Sequence, residues 1–150
     1  MFPMRGPGRC DQLRTVAVRD MTESECLEAM ASVGIGRVGI THQAMPHIVP
    51  VNFVMLDRFV YFAVMSRSIL AAATSRSVVA FQADSFDLDR RSGWTVVGVG
   101  HASGLSEASE MEPLTTLVPE PWVTGHDPEH IVRVNLEHLS GHAVVPIGLV

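Results

Sequence analysis

Two groups of residues have types and spacings that could do chemistry on their own. Gly34-Ile35-Gly36-Arg37-Val38-Gly39 has the G-x-G-x-x-G order that cradles a dinucleotide pyrophosphate. That chemistry needs a strand before the glycines and a helix after them, so that the helix N-terminus meets the phosphates. Here a helix signal precedes and a strand signal follows, so the glycines read as a turn. His126 and His130 stand four apart, the spacing of two metal-facing imidazoles on a helix. Pro128 breaks that helix and no third ligand is evident, so they read as loop histidines. With seven histidines in the chain, a haem axial ligand stays open. No G-x-S-x-G elbow, G-x-x-x-x-G-K-[ST] loop or H-E-x-x-H pair occurs, so hydrolase, P-loop and metalloprotease readings lack their starting residues.

The elements that must position any site follow from capping and periodicity. Thr22-Glu23-Ser24-Glu25 is a T-x-x-E capping box and opens a short helix. Leu27, Met30 and Ala31 predict its apolar stripe, and Gly34 and Gly36 stop it. The period then changes to two, predicting strands at Arg37–Thr41, His47–Leu56 and Phe59–Val64, the last pair joined through Asp57-Arg58. Ser68–Thr74 predicts a helix capped by Ser66 or Ser68, and Val78–Ala83 a strand. Asp84–Ser92 reads as a solvated loop leading into the long strand Trp94–Gly104, where Gly98 and Gly100 predict a bulge or bend. Glu107–Leu117 reads as a further helix, Pro119–Pro128 as a loop, and His130–Asn135 with Gly141–Val145 as closing strands. Residues 1–17, rich in Gly, Pro and Arg, read as a flexible extension, leaving 18–150 as one domain.

Composition narrows the classes. The 150 residues carry 47% hydrophobic and 18% charged side chains, enough for one core without disulfides or a structural metal. The net charge is −5, and the eleven basic residues are all Arg, scattered without a run, which argues against a nucleic-acid partner. Cys10 and Cys26 form neither a disulfide framework nor a C-x-x-C site. With no apolar stretch near the ~18 residues that span a bilayer and no signal-peptide pattern, the expectation is a soluble, cytoplasmic protein without a membrane partner.

A longer pattern then emerges. Pro46-His-Ile-Val-Pro50-Val51-Asn52-Phe53, Val60-Tyr-Phe62, Ser66-Arg67-Ser68-Ile69-Leu-Ala-Ala72, Val79-Ala-Phe81-x-x-Asp84 and Ser92-Gly-Trp94-Thr-Val-Val follow one another in fixed order. Pro121-Trp122 and Ile131-x-Arg133 continue it. Over about residues 20–143 the chain resembles the pyridoxamine 5'-phosphate oxidase-like, FMN-binding split-barrel family. The resemblance implies a mainly β fold with short helices, a six-stranded antiparallel split barrel pairing as a homodimer with flavin sites at the interface. It places Pro50, Val51, Asn52 and Phe53 along the flavin ring, where Asn52 offers both donor and acceptor among apolar neighbours. A strand-end amide satisfied by backbone is the plainer reading of Asn52.

The resemblance also implies that Val64 to Ile69 holds the ribityl phosphate. Arg67 takes the place of the first of a basic pair, and Ser66 and Ser68 add hydroxyls near a helix N-terminus. The second basic residue, usually Lys, is Ile69 here, so the phosphate would lean on Arg67, the serines and backbone, with help from another Arg such as Arg76 or one from the partner subunit. Trp122 is a pocket candidate and Trp94 reads as core or interface packing. Arg133 reads as a second-subunit anion ligand or an ion-pair partner of Glu129 or Glu137. The implied function is FMN-dependent transfer of hydride or electrons to a small acceptor, the flavin carrying the redox chemistry. A second phosphate site for pyridoxamine phosphate is not evident. Coenzyme F420 or haem in the same barrel, and a non-catalytic dimer with weak or lost flavin binding, remain alternatives.

Overall fold

The computed structural model describes residues 16–64, 67–105, 113–123 and 130–147. The chain begins there with β1 (Val16–Asp20) and α1 (Glu23–Ala31), followed by β2 (Ile35–His42), β3 (Met45–Asn52), β4 (Val54–Leu56) and β5 (Phe59–Val64). Then come α2 (Arg67–Thr74), β6 (Val78–Asp87), β7 (Ser92–Leu105), β8 (His130–Asn135) and β9 (His138–Pro146). The expected boundary at Ala17 thus falls inside β1, which pairs antiparallel with β9.

The capping box at α1 forms as its spacing requires. Thr22 Oγ accepts from the Glu25 N–H at 3.2 Å, and Glu25 Oε1 accepts from the Thr22 N–H at 3.1 Å. Arg19 donates to the same carboxylate at 2.8 Å, and these bonds hold Glu25 well below the usual carboxylate range, at about 2. The buried stripe differs from the expected one: Cys26 and Met30 are in the core, while Leu27 is half-buried and Ala31 exposed. Both stripes satisfy helical spacing; the docking of α1 against β7 and β9 selects the one carrying Cys26, whose thiol burial pushes its pKa up.

The strands form one antiparallel network in the order β3-β2-β6-β7-β8-β5-β4, with β9 pairing with β7 and β1 outside β9. This is a mainly β, unclosed split barrel. It holds nine strands among the described residues: of the seven that periodicity predicts, His47–Leu56 breaks into two, and β1 adds an edge. The break is at Phe53, whose N–H bonds Gly34 O at 3.1 Å instead of continuing a ladder. Asp57 takes a left-handed φ of 55°, so a residue tolerant of that region makes the β4–β5 link.

Further differences come from pairing that composition hides. Asp84–Asp87, expected as loop, extends β6 against Thr95–Ser92, so the turn is confined to residues 88–91 and the Ser92-Gly93 pair opens β7. Gly36 and Gly39 lie within β2, not in a turn; a Cβ on Gly36 would meet the Phe81 ring. Of the expected helix Glu107–Leu117, residues 113–117 form a turn and the remainder lies outside the described residues.

β7 is the organising strand. Its first half pairs with β9, through Gly93–Val99, and its last residues pair with β8, through Ala102–Leu105. Between them stands Gly100, where a Cβ would collide with Asn135 O. The expected bend is therefore a close approach: Glu137 N–H bonds Val99 O at 3.0 Å, clamping the β8–β9 link onto Gly100. Inside, Phe62, Phe81, Met30 and Ile69 are among the largest fully buried side chains. Phe81 stands edge-on to Phe53 with centroids 4.9 Å apart and stacks on Phe62 at 6.1 Å.

Candidate functional site

Alternation along β2, β3 and β6 sorts their residues onto two faces. Val38, Val51, Phe53, Phe81 and Ala83 point into the core, whereas Arg37, Pro50, Asn52, Gln82 and Asp84 share the outer face. Of the expected ring-facing segment, Pro50 and Asn52 thus present side chains outward, while Val51 at 2% exposure and Phe53 at 4% are core residues. Only the backbone of those two can serve a ligand.

Asn52 is buried at 4% although its face is the outer one. The cover is the turn around Trp122: Asn52 Oδ1 accepts from the Val123 N–H at 3.0 Å. The backbone-satisfied reading therefore holds for that oxygen. Trp122 itself is 68% exposed, beside an anchored Pro121. Across β2 from Pro50, Arg37 donates to Asp84 Oδ1 at 3.3 Å and Gln82 Oε1 at 3.4 Å. Gln82 Nε2 in turn donates to Asp84 Oδ2 at 2.7 Å and Thr95 Oγ at 3.2 Å. This polar row was missed from sequence, although Arg37 and Gln82 both stand at outward positions of strands that the period-two pattern finds.

Farther along the same face, Ile48 is 78% exposed, while Met45, on the other face of β3 by alternation, is 63% exposed. An apolar groove of about 330 Å³ lies between Pro46–Ile48 of β3 and Val78–Ala80 of β6. The edge strand thus carries Pro46, Ile48 and Pro50 on its outer side and, among the described residues, pairs with a neighbour along one margin only.

The expected phosphate segment starts at Val64, buried at 4% at the end of β5. Ser66 and the side chains of Arg67 and Ser68 lie outside the described residues, but α2 opens at Arg67 with no acid in its first turn. Ile69 is 1% exposed and part of the main core, so its side chain packs and any contact with a ligand there runs through backbone. A lysine at this place would carry its charge into the core.

Arg133 is not beside Val64. It pairs with Tyr61, three residues back along β5 or about 10 Å at strand rise, and its guanidinium stands 5.2 Å over the Phe59 ring. Glu137, one of its expected partners, bonds His101 Nδ1 at 2.6 Å, and that bond lowers the carboxyl's pKa. Glu129, the other expected partner, and His126 lie outside the described residues; His130 is on β8, exposed. Trp94 packs partly buried against the core. Among the described residues no group of three or more His, Cys, Asp or Glu could hold a metal, and no helix is long and apolar enough to cross a membrane.

The mainly β, unclosed sheet is that of a split-barrel protein, and known proteins agree. Residues 22–143 match the family model described as pyridoxamine 5'-phosphate oxidase. The chain belongs to that family. It is 32% identical over 133 residues to the uncharacterized protein Rv0080 of Mycobacterium tuberculosis, covering 85% of this chain and 86% of that one. It resembles the FAD binding protein of Mycobacterium smegmatis at 29% identity and a TM-score of 0.62, covering 85% of this chain and 98% of that one. A FAD-binding protein of Mesorhizobium loti shares the fold at 18% identity and a TM-score of 0.71, covering 84% and 97% of the two chains.

Proposed function

We propose that this chain binds a flavin, FMN first among them, between two copies of itself and passes hydride or electrons to a small acceptor. The observation that carries the reading is the strap on Asn52: one hydrogen bond of 3.0 Å holds the Trp122 turn against the outer face of the P-V-N-F strand. That leaves an exposed indole beside a strand end with mixed apolar and amide character, as a flat ring with one polar edge requires. The residues that would hold the cofactor are Pro50 and Asn52 at the ring edge, backbone of Val51 and Phe53, Trp122 at its flank, and Ser66, Arg67 and Ser68 at the phosphate. The flavin, when bound, supplies the redox chemistry; the chain contributes binding, orientation and exclusion of water. The exposed apolar margin of β3 supports a second copy as partner, and the FAD binding relative of Mycobacterium smegmatis supports the ligand class.

A reading as a dimer with little flavin affinity is favoured by one observation, the burial of Ile69 where a second cation would stand. Titration with FMN and with F420, followed by tryptophan quenching, separates the two. Saturable quenching by FMN, weakened several-fold or more in Arg67→Ala, is the expected result. A colourless protein that ignores both ligands would leave the non-catalytic reading, a Soret band would point to haem, and a monomer by light scattering would remove the shared site.

A further inference from the structure

Arg133 and Arg76 reach one cleft on the outer face, and neither is paired with a carboxylate among the described residues. Arg76 sits just past the C-terminus of α2 in a left-handed conformation of φ 52°. Its position is fixed by neighbours on both sides: its N–H bonds Ala73 O at 3.2 Å, and the next residue's carbonyl, Ser77 O, accepts from the Ala102 N–H at 3.0 Å. Arg133 is steadied over Phe59. His101, Ser103 and Asn135 line the same cleft of about 280 Å³, which has no acid in its lining. Glu137, the carboxylate that contacts the lining residue His101, is bonded by that residue's ring at 2.6 Å and its N–H at 3.2 Å.

Two guanidinium groups facing one cleft repel each other unless something negative stands between them. A hydroxyl and an amide beside them supply further hydrogen-bonding groups of the kind a tetrahedral oxyanion uses, since it offers many acceptor positions at once. We propose that this cleft binds a phosphate group, separately from any flavin. Arg67 opens α2 and Arg76 follows its end, so the cleft lies about 12 Å at helix rise from the phosphate seat expected at Val64–Ile69. The inference does not rest on flavin binding and stands on flavin-free protein.

The test is titration of 15N-labelled, flavin-free protein with inorganic phosphate at constant ionic strength. Saturable movement of the Ala102, Ser103 and Asn135 amides is expected, with affinity weakened about tenfold or more in Arg76→Asn and in Arg133→Gln. Asn tolerates the left-handed backbone at position 76, and undisturbed distant amides verify that each variant is folded. Acetate should produce no comparable movement, and phosphate should still bind after the protein is loaded with FMN. Absence of movement, wild-type affinity in either variant, equal response to acetate, or displacement of phosphate by FMN would each overturn the proposal.

Discussion

The strapped end of β3 and the cleft at Arg133 were expected to serve one cofactor, yet they differ in nearly every physical respect. At Asn52 a single amide is buried among apolar residues and its oxygen is held by one backbone donor. At Arg133 the cleft is open and cationic, with no carboxylate among its lining residues and Glu137 bound by His101. The first is a place where a polar group is aimed and water excluded, which suits the edge of a ring. The second is a place where charge is concentrated and water admitted, which suits an oxyanion. Residues that share a family pattern along the chain need not share a pocket.

The strongest way to break this contrast is at the joint between β8 and β9. Gly100→Val places a side chain against Asn135 O and Glu137 N, so it should cost about 3 kcal/mol or more and lower the thermal midpoint by roughly 6–12 °C. A melt within 2 °C of wild type, on the order of 0.5 kcal/mol, would show that the link is not clamped there. Asn52→Ala comes next: it leaves the Val123 N–H without its partner, with an expected loss of about 1–2 kcal/mol by urea unfolding. Faster amide exchange at Val123 in that variant locates the loss at the strap, and unchanged exchange would deny the strap its role.

Ligand titrations sharpen the comparison with smaller effects. Arg67→Ala should weaken FMN several-fold, and Arg76→Asn by less than twofold; equal losses would merge the two regions into one site. The smallest effect lies at α1, away from both. Glu25 titrates at about 2 in the folded chain against an ordinary 4.5, so the stability it adds is present above about pH 4.5 and lost as pH falls toward 2. Its pair with Arg19 is solvent-exposed, so Glu25→Gln should flatten only a shallow part of the acid limb, read by circular dichroism between pH 5 and pH 2.

Local chemistry was legible where one interaction decides the outcome. The Thr22–Glu25 box, the Asp57-Arg58 link and the spans Phe59–Val64 and His130–Asn135 all stand as their residues dictate, because capping, turn chemistry and alternation act within a few positions. Asp84–Asp87 has the polar composition of a loop and becomes strand only because a partner strand supplies its ladder.

From its sequence alone, this protein fixed its class, its period-two strands and the fragments that mark its family, since those depend on residue type and near neighbours. Tertiary structure alone decided which face each fragment presents. It turned Val51, Phe53 and Ile69 inward, strapped Asn52 beneath the Trp122 turn, and brought Arg76 beside Arg133 across 57 positions of chain. Facing and convergence are properties of how the sheet twists and which strands pair, and no window of neighbouring residues contains them.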